Sequence, residues 1–382
     1  MPTSHQIEPI QLAKAETFVF RAPIDVPLRT SFGAMHDRPA VLVRLEDTDG
    51  AYGWGEVWCN FPIVGAEHRA GLLSDVLIPL LLQQSCIQPT ETLSFLTQRT
   101  RILKIQCGEP GPLSQAIASL EIAVWDLIAR KMNKPLYTLF RDEAVNKVPV
   151  YASGINPGEA LKTVDDCRKK GYRAFKLKVG FGPEADFANV TRVVEQLGPN
   201  EALMLDANQA WNVGEAINFV DKISHYPIEW LEEPLPADRP ETEWADLSSV
   251  SAIPLAAGEN IRGIGEFTKK ISAGHIAVVQ PDACKWGGVS GCLQVARRAI
   301  AAGKRYCPHY LGGGIGLLAS AHVLAAAGGD GRLELDINPN PLRAGLAFPY
   351  PEIKDGHFPI PDSPGLGVEP DWNEVKKYLV RQ

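Results

Sequence analysis

The chain has 382 residues, of which 45 % are hydrophobic and 22 % are charged, a composition typical of a globular protein long enough for two domains. Its 38 basic and 45 acidic side chains give a formal net charge of −7. This mildly acidic balance, without a long run of lysine or arginine, argues against nucleic acid and anionic membranes as binding partners.

The first residues, the apolar stretches and the cysteines favour one cellular compartment. Residues 1–14 lack the apolar core of a secretion signal, and apolar stretches such as 72–82 contain polar breaks and are too short to span a bilayer. The seven cysteines are scattered, and no two have Cys-x-x-Cys spacing. We therefore predict a cytoplasmic protein whose cysteines stay reduced and act mostly as small hydrophobic side chains.

Residues 1–145 mix strand and helix signals, which predicts an α+β domain. Alternating residues 40–44, a polar turn at 47–50 and a returning run at 51–57 predict a β-hairpin. Helical periodicity follows in three segments, at 66–84, 90–105 and 113–132.

The pattern changes over residues 146–345, where short apolar strands alternate with helical segments at steps of roughly 25 residues, as in a parallel (β/α)8 barrel. The eight predicted strands are 148–153, 173–178, 202–206, 228–232, 254–258, 275–280, 305–309 and 331–335. The tail, residues 346–382, is rich in proline and glycine. We expect it to return to the first domain as an ordered segment, although a loose linker would have a similar composition.

Ionisable side chains mark the carboxyl ends of seven of these eight strands, where a barrel places its active site. These side chains are Lys176 with Lys178, Asp206, Glu232, Glu259, Asp282, His309 and Glu334. Any one of them could be a solvated charge at a strand end. Together they would converge on one small space, where unpaired charge is costly, so the set favours a functional site.

Three carboxylates, Asp206, Glu232 and Glu259, end adjacent predicted strands and would repel one another without a cation. Oxygen ligands with room for water and substrate favour Mg2+ over zinc, which prefers histidine and cysteine. Glu233 is an alternative ligand, although alternation along the strand should turn it away if Glu232 points inward.

Two further groups could move a proton. Lys176 and Lys178 share one side of a buried strand, so Lys178 should have a lowered pKa beside Lys176 and a dication. Asp282 and His309 end neighbouring strands, where the carboxylate can orient the imidazole and stabilise its charged form. Because Lys178 and His309 come from roughly opposite sides of the ring, they could flank one substrate carbon.

The strand-end motifs resemble those of the enolase superfamily, and within it the mandelate racemase branch, over nearly the whole chain. They are Lys176-x-Lys178, Leu205-Asp-Ala-Asn208, Leu231-Glu-Glu-Pro234, Gly258-Glu-Asn260, Pro281-Asp-Ala-Cys-Lys-Trp-Gly-Gly288 and Pro308-His309. The muconate cycloisomerase branch would have a lysine at position 282. Aspartate there, followed by His309 one strand later, is similar to the mandelate racemase arrangement.

The resemblance implies a capping domain over residues 1–145 and Mg2+ as the cofactor, bound by the three carboxylates. It also implies that Lys178 and His309 are the bases, that Asp282 supports His309, and that a small carboxylate is the substrate. Its carboxylate would be contacted by three side chains, Lys176, Glu334 and the nearby Asn208. In this superfamily a lysine or histidine base acts with Mg2+ to form an enediolate.

The fate of that enediolate depends on the substrate. A proton returned to the opposite face gives racemisation or epimerisation, whereas loss of a β-hydroxyl gives dehydration. Residues 57–64 are largely apolar, so Trp58 and Phe61 are predicted to line the pocket, with packing between the domains as an equal alternative. We place few polar partners for a polyhydroxylated acid, which favours a racemase or epimerase over an acid-sugar dehydratase.

Other classes fit the residues less well. A metal-dependent hydrolase would favour a histidine-rich or two-metal site, and His309 is the only histidine placed at a strand end. A cycloisomerase is disfavoured by Asp282, and a non-catalytic barrel by the complete set of ligands and bases. We also expect the protein to form a homo-oligomer.

Overall fold

A computed structural model describes residues 7–30, 33–141 and 143–382. The chain begins with three antiparallel strands, β1 (Leu12–Thr30), β2 (Gly33–Asp47) and β3 (Tyr52–Val57). β2 and β3 form the predicted hairpin. Its turn is closed by Asp47, whose Oδ1 accepts hydrogen bonds from the backbone N–H groups of Asp49 and Ala51 at 3.0 and 2.9 Å.

Helices pack on one face of this sheet. They are α1 (Gly65–Gly71), a π-helical segment (Leu72–Leu77), α2 (Ile78–Leu82), α3 (Thr92–Arg99), α4 (Arg101–Gln106) and α5 (Pro110–Lys131). β3 lies directly on α5, because a Cβ atom at Gly53 or Gly55 would come within 2.2 or 1.9 Å of a helix carbonyl oxygen. Among the described residues, α5 alone is long and apolar enough to cross a membrane, and 94 % of its apolar window is buried inside the fold.

The rest of the chain forms a parallel barrel sheet. Its strands are β4 (Lys147–Ile155), β5 (Ala174–Lys178), β6 (Ala202–Asp206), β7 (Ile228–Glu232), β8 (Leu255–Ala257), β9 (Val278–Val279), β10 (Arg305–Tyr306) and β11 (Leu333–Asp336). They are hydrogen-bonded in the order β10-β9-β8-β7-β6-β5-β4-β11. Each predicted strand overlaps an observed one, and the predicted (β/α)8 architecture is confirmed.

Helices follow the strands and cover the outside of the sheet. They are α6 (Ala160–Lys169), α7 (Pro183–Val194), α8 (Val213–Ile223), α9 (Glu241–Val250), α10 (Ile264–Ala273), α11 (Gly288–Ala301), α12 (Gly314–Ala327) and α13 (Pro341–Gly345). Residues next to the two edge strands are in contact, because Arg332 N–H donates to Cys307 Sγ at 3.4 Å. The barrel interior is filled by a separate buried cluster of Tyr151, Ala174, Met204, Trp230, Ala256, Val278 and Cys307.

The tail runs along both parts of the molecule. β12 (His357–Pro359) pairs antiparallel with β4, and β13 (Leu379–Arg381) pairs antiparallel with β1. Between them, α14 (Trp372–Val375) places the Trp372 ring 5.2 Å from that of Phe18. The tail is therefore ordered against the first sheet, and it also contacts the barrel. The domain limits at 145 and 345 stay a prediction.

Candidate active site

A pocket of about 280 Å3 lies at the carboxyl ends of the barrel strands, beneath side chains of the first domain. Five of the predicted site residues on the barrel line it: Lys178, Asp206, Glu259, His309 and Glu334. Trp58 and Phe61 line it from the first domain, and Asn208 does so from the loop after β6. The remaining three, Lys176, Glu232 and Asp282, are buried and are not among the lining side chains.

Each of the three predicted metal ligands is paired with a lysine. The nitrogen–oxygen distances are 2.6 Å for Lys178–Asp206, 2.7 Å for Lys176–Glu232 and 2.6 Å for Lys285–Glu259. In the chain as described, no three acidic, histidine or cysteine side chains are gathered closely enough to hold a metal ion. The ammonium groups thus balance the carboxylate charge in this arrangement.

The chemistry of the donors nevertheless fits a hard divalent cation. The three carboxylates come from adjacent strands, and all three are largely buried. Burial and the neighbouring charges of Asp206 and Glu334 together raise the pKa of Glu232 to about 7, although the Lys176 ammonium lowers it. A cation bound by these oxygens would relieve that repulsion, which is the role expected of Mg2+ among carboxylates.

Lys176 is held beneath the pocket. Its ammonium lies 2.7 Å from Glu232 Oε2 and 2.7 Å from Glu334 Oε1, and its side chain is 1 % exposed. Glu334 also accepts a hydrogen bond from the Ser153 hydroxyl and one from Tyr310 N–H at 3.0 Å. Glu334 therefore faces the pocket with its oxygens already oriented, whereas Lys176 acts on the pocket from behind that carboxylate.

The lowered Lys178 pKa, which was predicted for a site that also holds a dication, does not occur in this arrangement of charges. Burial and the nearby Lys176 both lower the pKa, as expected, but the Asp206 carboxylate outweighs them and the pKa is raised. The Lys178 ammonium donates to Asp206 Oδ2 at 2.6 Å and also to Asn208 Oδ1. Lys176 and a bound dication were the reasons for the predicted lowering, whereas the Asp206 carboxylate on the next strand acts in the opposite direction.

Asp282 and His309 are in direct contact. His309 Nδ1 lies 2.7 Å from Asp282 Oδ2, while Asp282 Oδ1 accepts the N–H groups of Cys284 and Lys285 at 2.7 and 3.1 Å. Burial would lower the pKa of His309, but the charges of Glu259, Glu334 and Asp282 raise it to about 9. Because Nδ1 faces Asp282, His309 Nε2 is left to face Glu259, 3.2 Å away.

Glu233 is not among the side chains that line the pocket, but strand alternation does not explain its position. Glu233 follows the last residue of β7 and has φ of 39°, so the alternation of an extended strand no longer applies to it. Its buried carboxylate accepts hydrogen bonds from Asn260 Nδ2 at 2.9 and 3.1 Å. Burial and the nearby charge of Glu259 raise its pKa well above the usual value. Glu233 therefore supports the rim of the site.

The pocket is far more polar than the sequence argument expected. Besides Asn208, its lining includes Ser153, Asn156, Gln209, Asn260 and Asn338, together with Asp336. These side chains lie at or just beyond the strand ends, and the sequence argument followed only ionisable groups there. The statement that few partners exist for a polyhydroxylated acid is therefore wrong.

Lys285 is the most important side chain that the sequence argument missed. Its ammonium donates to Glu259 Oε2 at 2.6 Å and Asn260 Oδ1 at 3.2 Å, and it lies 4.6 Å from the centre of the Trp58 ring. The signal was present, because Lys285 stands three residues after Asp282 in the same motif. It adds a third cationic group to the pocket wall beside Lys178 and His309.

Comparison with known proteins identifies the family of this chain. Residues 14–140 match the family model for the mandelate racemase / muconate lactonizing enzyme N-terminal domain, and residues 159–375 match the enolase C-terminal domain-like model. D-galactarolactone cycloisomerase of Agrobacterium fabrum is 30 % identical over 94 % of this chain and 96 % of its own length. Arabinonate dehydratase of Saccharolobus solfataricus is 28 % identical over 87 % of this chain and 89 % of its own.

Solved structures agree over the full length. The crystal structure of a mandelate racemase/muconate lactonizing enzyme from Bordetella bronchiseptica has a TM-score of 0.91 and 48 % identity, covering 97 % of this chain and 100 % of that chain. A racemase from Streptomyces coelicolor with bound magnesium has a TM-score of 0.85 and 26 % identity, with coverage of 97 % and 100 %. The chain therefore belongs to the enolase superfamily and, within it, to the mandelate racemase branch.

Proposed function

We propose that this protein removes the α-proton of a polyhydroxylated carboxylic acid in a Mg2+-dependent reaction. The observation that carries this proposal is the pocket itself, in which Lys178 and His309 share a wall with five amide side chains and one hydroxyl, that of Ser153. Most of these polar side chains are held by partners within the protein, so they present oriented hydrogen-bonding groups to a substrate with several hydroxyl groups.

The chain's own residues divide the chemistry. Lys178 or His309, in its neutral form, takes the α-proton, and the other group lines the same pocket in its protonated form. Glu334, held by Lys176 and Ser153, faces the substrate carboxylate. Because Lys176 and His309 hold the pKa of Glu334 below its usual value despite burial, Glu334 must first take up a proton before it can donate a hydrogen bond as charge develops. A divalent cation held by Asp206, Glu232 and Glu259 would supply electrostatic stabilisation of the same carboxylate.

Dehydration is the outcome that the pocket favours. After α-proton removal, His309 can protonate a β-hydroxyl as it leaves, and the amide side chains can orient the remaining hydroxyls. The relatives named D-galactarolactone cycloisomerase and arabinonate dehydratase support a sugar-derived acid. We therefore revise the preference that the sequence alone suggested, which was a racemase of a less hydroxylated acid.

Racemisation or epimerisation is the second candidate. It is favoured by the presence of two proton-transfer groups on well-separated strand ends, one on β5 and one in the loop directly after β10. The racemase from Streptomyces coelicolor with bound magnesium supports the same candidate. Both reactions begin with the same proton abstraction. They differ in the next step, which is protonation of the opposite face in one case and loss of a β-hydroxyl in the other.

A screen in D2O distinguishes these candidates. The protein is incubated with Mg2+ and a panel of aldonic, aldaric and simple α-hydroxy acids, and α-deuterium incorporation and loss of water are followed by NMR and mass spectrometry. We expect exchange with at least one polyhydroxylated acid and none with the His309→Asn/Lys178→Ala double variant. Exchange confined to apolar acids would contradict the proposed substrate class, and absence of exchange with every acid would contradict the proposed reaction.

A further inference from the structure

Two glutamates of the first domain reach across to the barrel. Glu56 lies in β3, and its carboxylate accepts hydrogen bonds from the N–H groups of Gly313 and Gly316 at 2.5 and 2.8 Å. Both amides belong to the start of α12, whose N-cap is a glycine that offers no side-chain acceptor. Glu56 is 1 % exposed, so it acts as a buried cap supplied by another domain.

Glu121, in α5, does the same for α11. Its carboxylate accepts the N–H groups of Val289 and Ser290 at 2.7 and 3.0 Å, and it also accepts from the Trp125 indole at 2.7 Å. The N-cap of α11 is Gly287, which again offers no side-chain acceptor. A negative carboxylate suits both positions, because the N-terminus of a helix carries partial positive charge.

Glycines make both approaches possible. A Cβ atom at Gly313 would lie 2.7 Å from Glu56 Oε1, and a Cβ atom at Gly288 would lie 2.1 Å from Glu121 Oε2. Either contact would force the carboxylate out of hydrogen-bonding range. Glycine at these two helix starts is therefore required for the two glutamates to act as caps.

Both capped helices follow directly on the Asp282–His309 pair. α11 begins six residues after Asp282, at Gly288, and Asp282 itself holds the intervening loop through the N–H of Cys284. α12 begins five residues after His309, at Gly314, and Tyr310 in that interval donates its hydroxyl to Gly313 O at 2.7 Å. Each glutamate thus fixes the helix that anchors one member of the pair.

We propose that Glu56 and Glu121 are positioning residues that hold the Asp282–His309 hydrogen bond in place from the capping domain. Glu56 acts through the loop between His309 and α12, and Glu121 acts through the loop between Asp282 and α11. The effect on turnover rests on the proposed function of His309, whereas the effect on the hydrogen bond does not.

NMR of the full chain labelled with 15N-histidine tests this directly. At pH 8, the Nδ1 proton of His309 should give a downfield resonance, assigned by its loss in His309→Asn. In Glu56→Gln and Glu121→Gln, an amide group replaces one accepting oxygen and faces backbone donors. We expect that resonance to shift or broaden, and kcat on the acid found by the screen to fall on the order of 10- to 100-fold with a smaller change in KM.

Asp126 provides the matched control. It lies on α5 five residues after Glu121, is fully buried, and accepts the backbone N–H groups of Trp54 and Leu366 at 2.8 and 2.6 Å, away from the pocket. Asp126→Asn should lower stability to a similar extent and leave the His309 resonance and kcat unchanged. Glu56→Asp and Glu121→Asp, which keep the charge but shorten the reach, replace any glutamine variant that does not fold.

The outcomes separate the two proposals. A wild-type His309 resonance in folded Glu56 and Glu121 variants overturns the positioning role, whatever their activity. A resonance altered equally by Asp126→Asn shows only general loosening and also overturns it. If the screen finds no substrate but the resonance changes as expected, the positioning role stands and the proposed function fails.

Discussion

Glu232 and Glu233 are adjacent in the chain, yet their carboxylates have different partners. Glu232 lies at the end of β7 and accepts hydrogen bonds from Lys176 at 2.7 Å and from Gln280 Nε2 at 2.6 Å. Glu233 lies one residue further on and accepts from Asn260, which in turn accepts from Lys285. We therefore expect Glu232 to bind the cation and Glu233 to hold Asn260 and the rim.

This difference gives a test of the metal site. Glu232→Gln should weaken Mg2+ binding by more than about 100-fold, because a ligand charge is lost from the site. Glu233→Gln should weaken it by about 10-fold or less, because only a supporting hydrogen bond changes. Isothermal titration calorimetry with MgCl2 measures both, and the reverse order would show that the ligand is Glu233.

Single variants can also distinguish the roles of the two proton-transfer groups, Lys178 and His309. If the substrate is racemised, His309→Asn should still exchange the α-proton of one enantiomer in D2O, because Lys178 can remove and return it on its own face. Lys178→Ala should exchange only the other enantiomer, and neither variant should interconvert the two. Full interconversion by both single variants, followed by chiral chromatography, would rule out the two-base assignment.

For a dehydratase the same variants give a different signature. His309→Asn should keep α-proton exchange and lose elimination, because the leaving hydroxyl has no acid. Asp282→Asn should show a weaker form of the His309 defect, since the 2.7 Å contact to Nδ1 orients the ring without touching the substrate. Elimination at the wild-type rate in His309→Asn would assign the acid to another residue.

At the scale of elements, residues 58–61, which follow β3, connect the first domain to the pocket. The backbone N–H of Trp58 donates to the carbonyl oxygen of Cys284 at 3.3 Å, and Asn60 Nδ2 donates to the carbonyl oxygen of Leu311 at 2.7 Å. The segment thus contacts both the loop that carries Asp282 and the loop that follows His309. Trp58 and Phe61 project from it into the pocket lining.

We expect this segment to set substrate preference. Trp58→Ala or Phe61→Ala should change the ratio of kcat/KM between two acids on the order of 10-fold and leave Mg2+ affinity within about 2-fold, because neither residue is one of the three carboxylate ligands. Competition assays with paired acids and calorimetry measure the two effects. A loss of thermal stability with unchanged preference would favour the alternative in which these side chains only pack the domains together.

At the scale of the whole molecule, the two domains share buried polar contacts. Arg38 of β2 lies 2.7 Å from Asp336 at the end of β11, with side-chain exposures of 1 % and 6 %. Together with Glu56 and Glu121, this pair places charge deep between the domains, where removal of one partner is costly. Stability and active-site geometry therefore depend on the same interface.

The pH dependence of unfolding reports on that interface. Burial raises the pKa of Glu121 in the folded protein to about 7, from the ordinary value of 4.5, despite its backbone hydrogen bonds. A raised carboxyl pKa contributes stability that is fully present below pH 4.5 and is lost as the pH rises through about 7. Relative to Glu121→Gln, the wild type should thus lose on the order of 3 kcal/mol of unfolding free energy across that window.

Urea unfolding of both proteins between pH 5 and pH 8 measures this difference. The Asp126→Asn variant gives a second comparison, because the pKa of the buried Asp126 carboxylate is also raised. If the unfolding free energy of the wild type instead rose relative to that of Glu121→Gln as the pH increased, the helix N-terminus and the backbone hydrogen bonds would outweigh burial at Glu121.

Much of this protein follows from local patterns in its sequence. Apolar runs spaced along residues 146–345 predicted all the barrel strands, and the ionisable residues at their ends predicted which side chains meet at the rim. This works because a closed parallel barrel brings every strand's carboxyl end to one place, so position along each strand determines position in the site. The hairpin at 40–57 and the helix of α5 followed equally from their periodicity.

Only the tertiary structure decided the partners of each charge. The raised pKa of Lys178 depends on Asp206 from the next strand, and the position of Glu233 depends on a backbone turn with φ of 39°. The polar pocket wall and Lys285 come from loops whose conformations have no period to detect. Glu56 and Glu121 cap helices more than 160 residues away along the chain. Electrostatic energy and burial depend on distance in space, which a local sequence pattern does not contain.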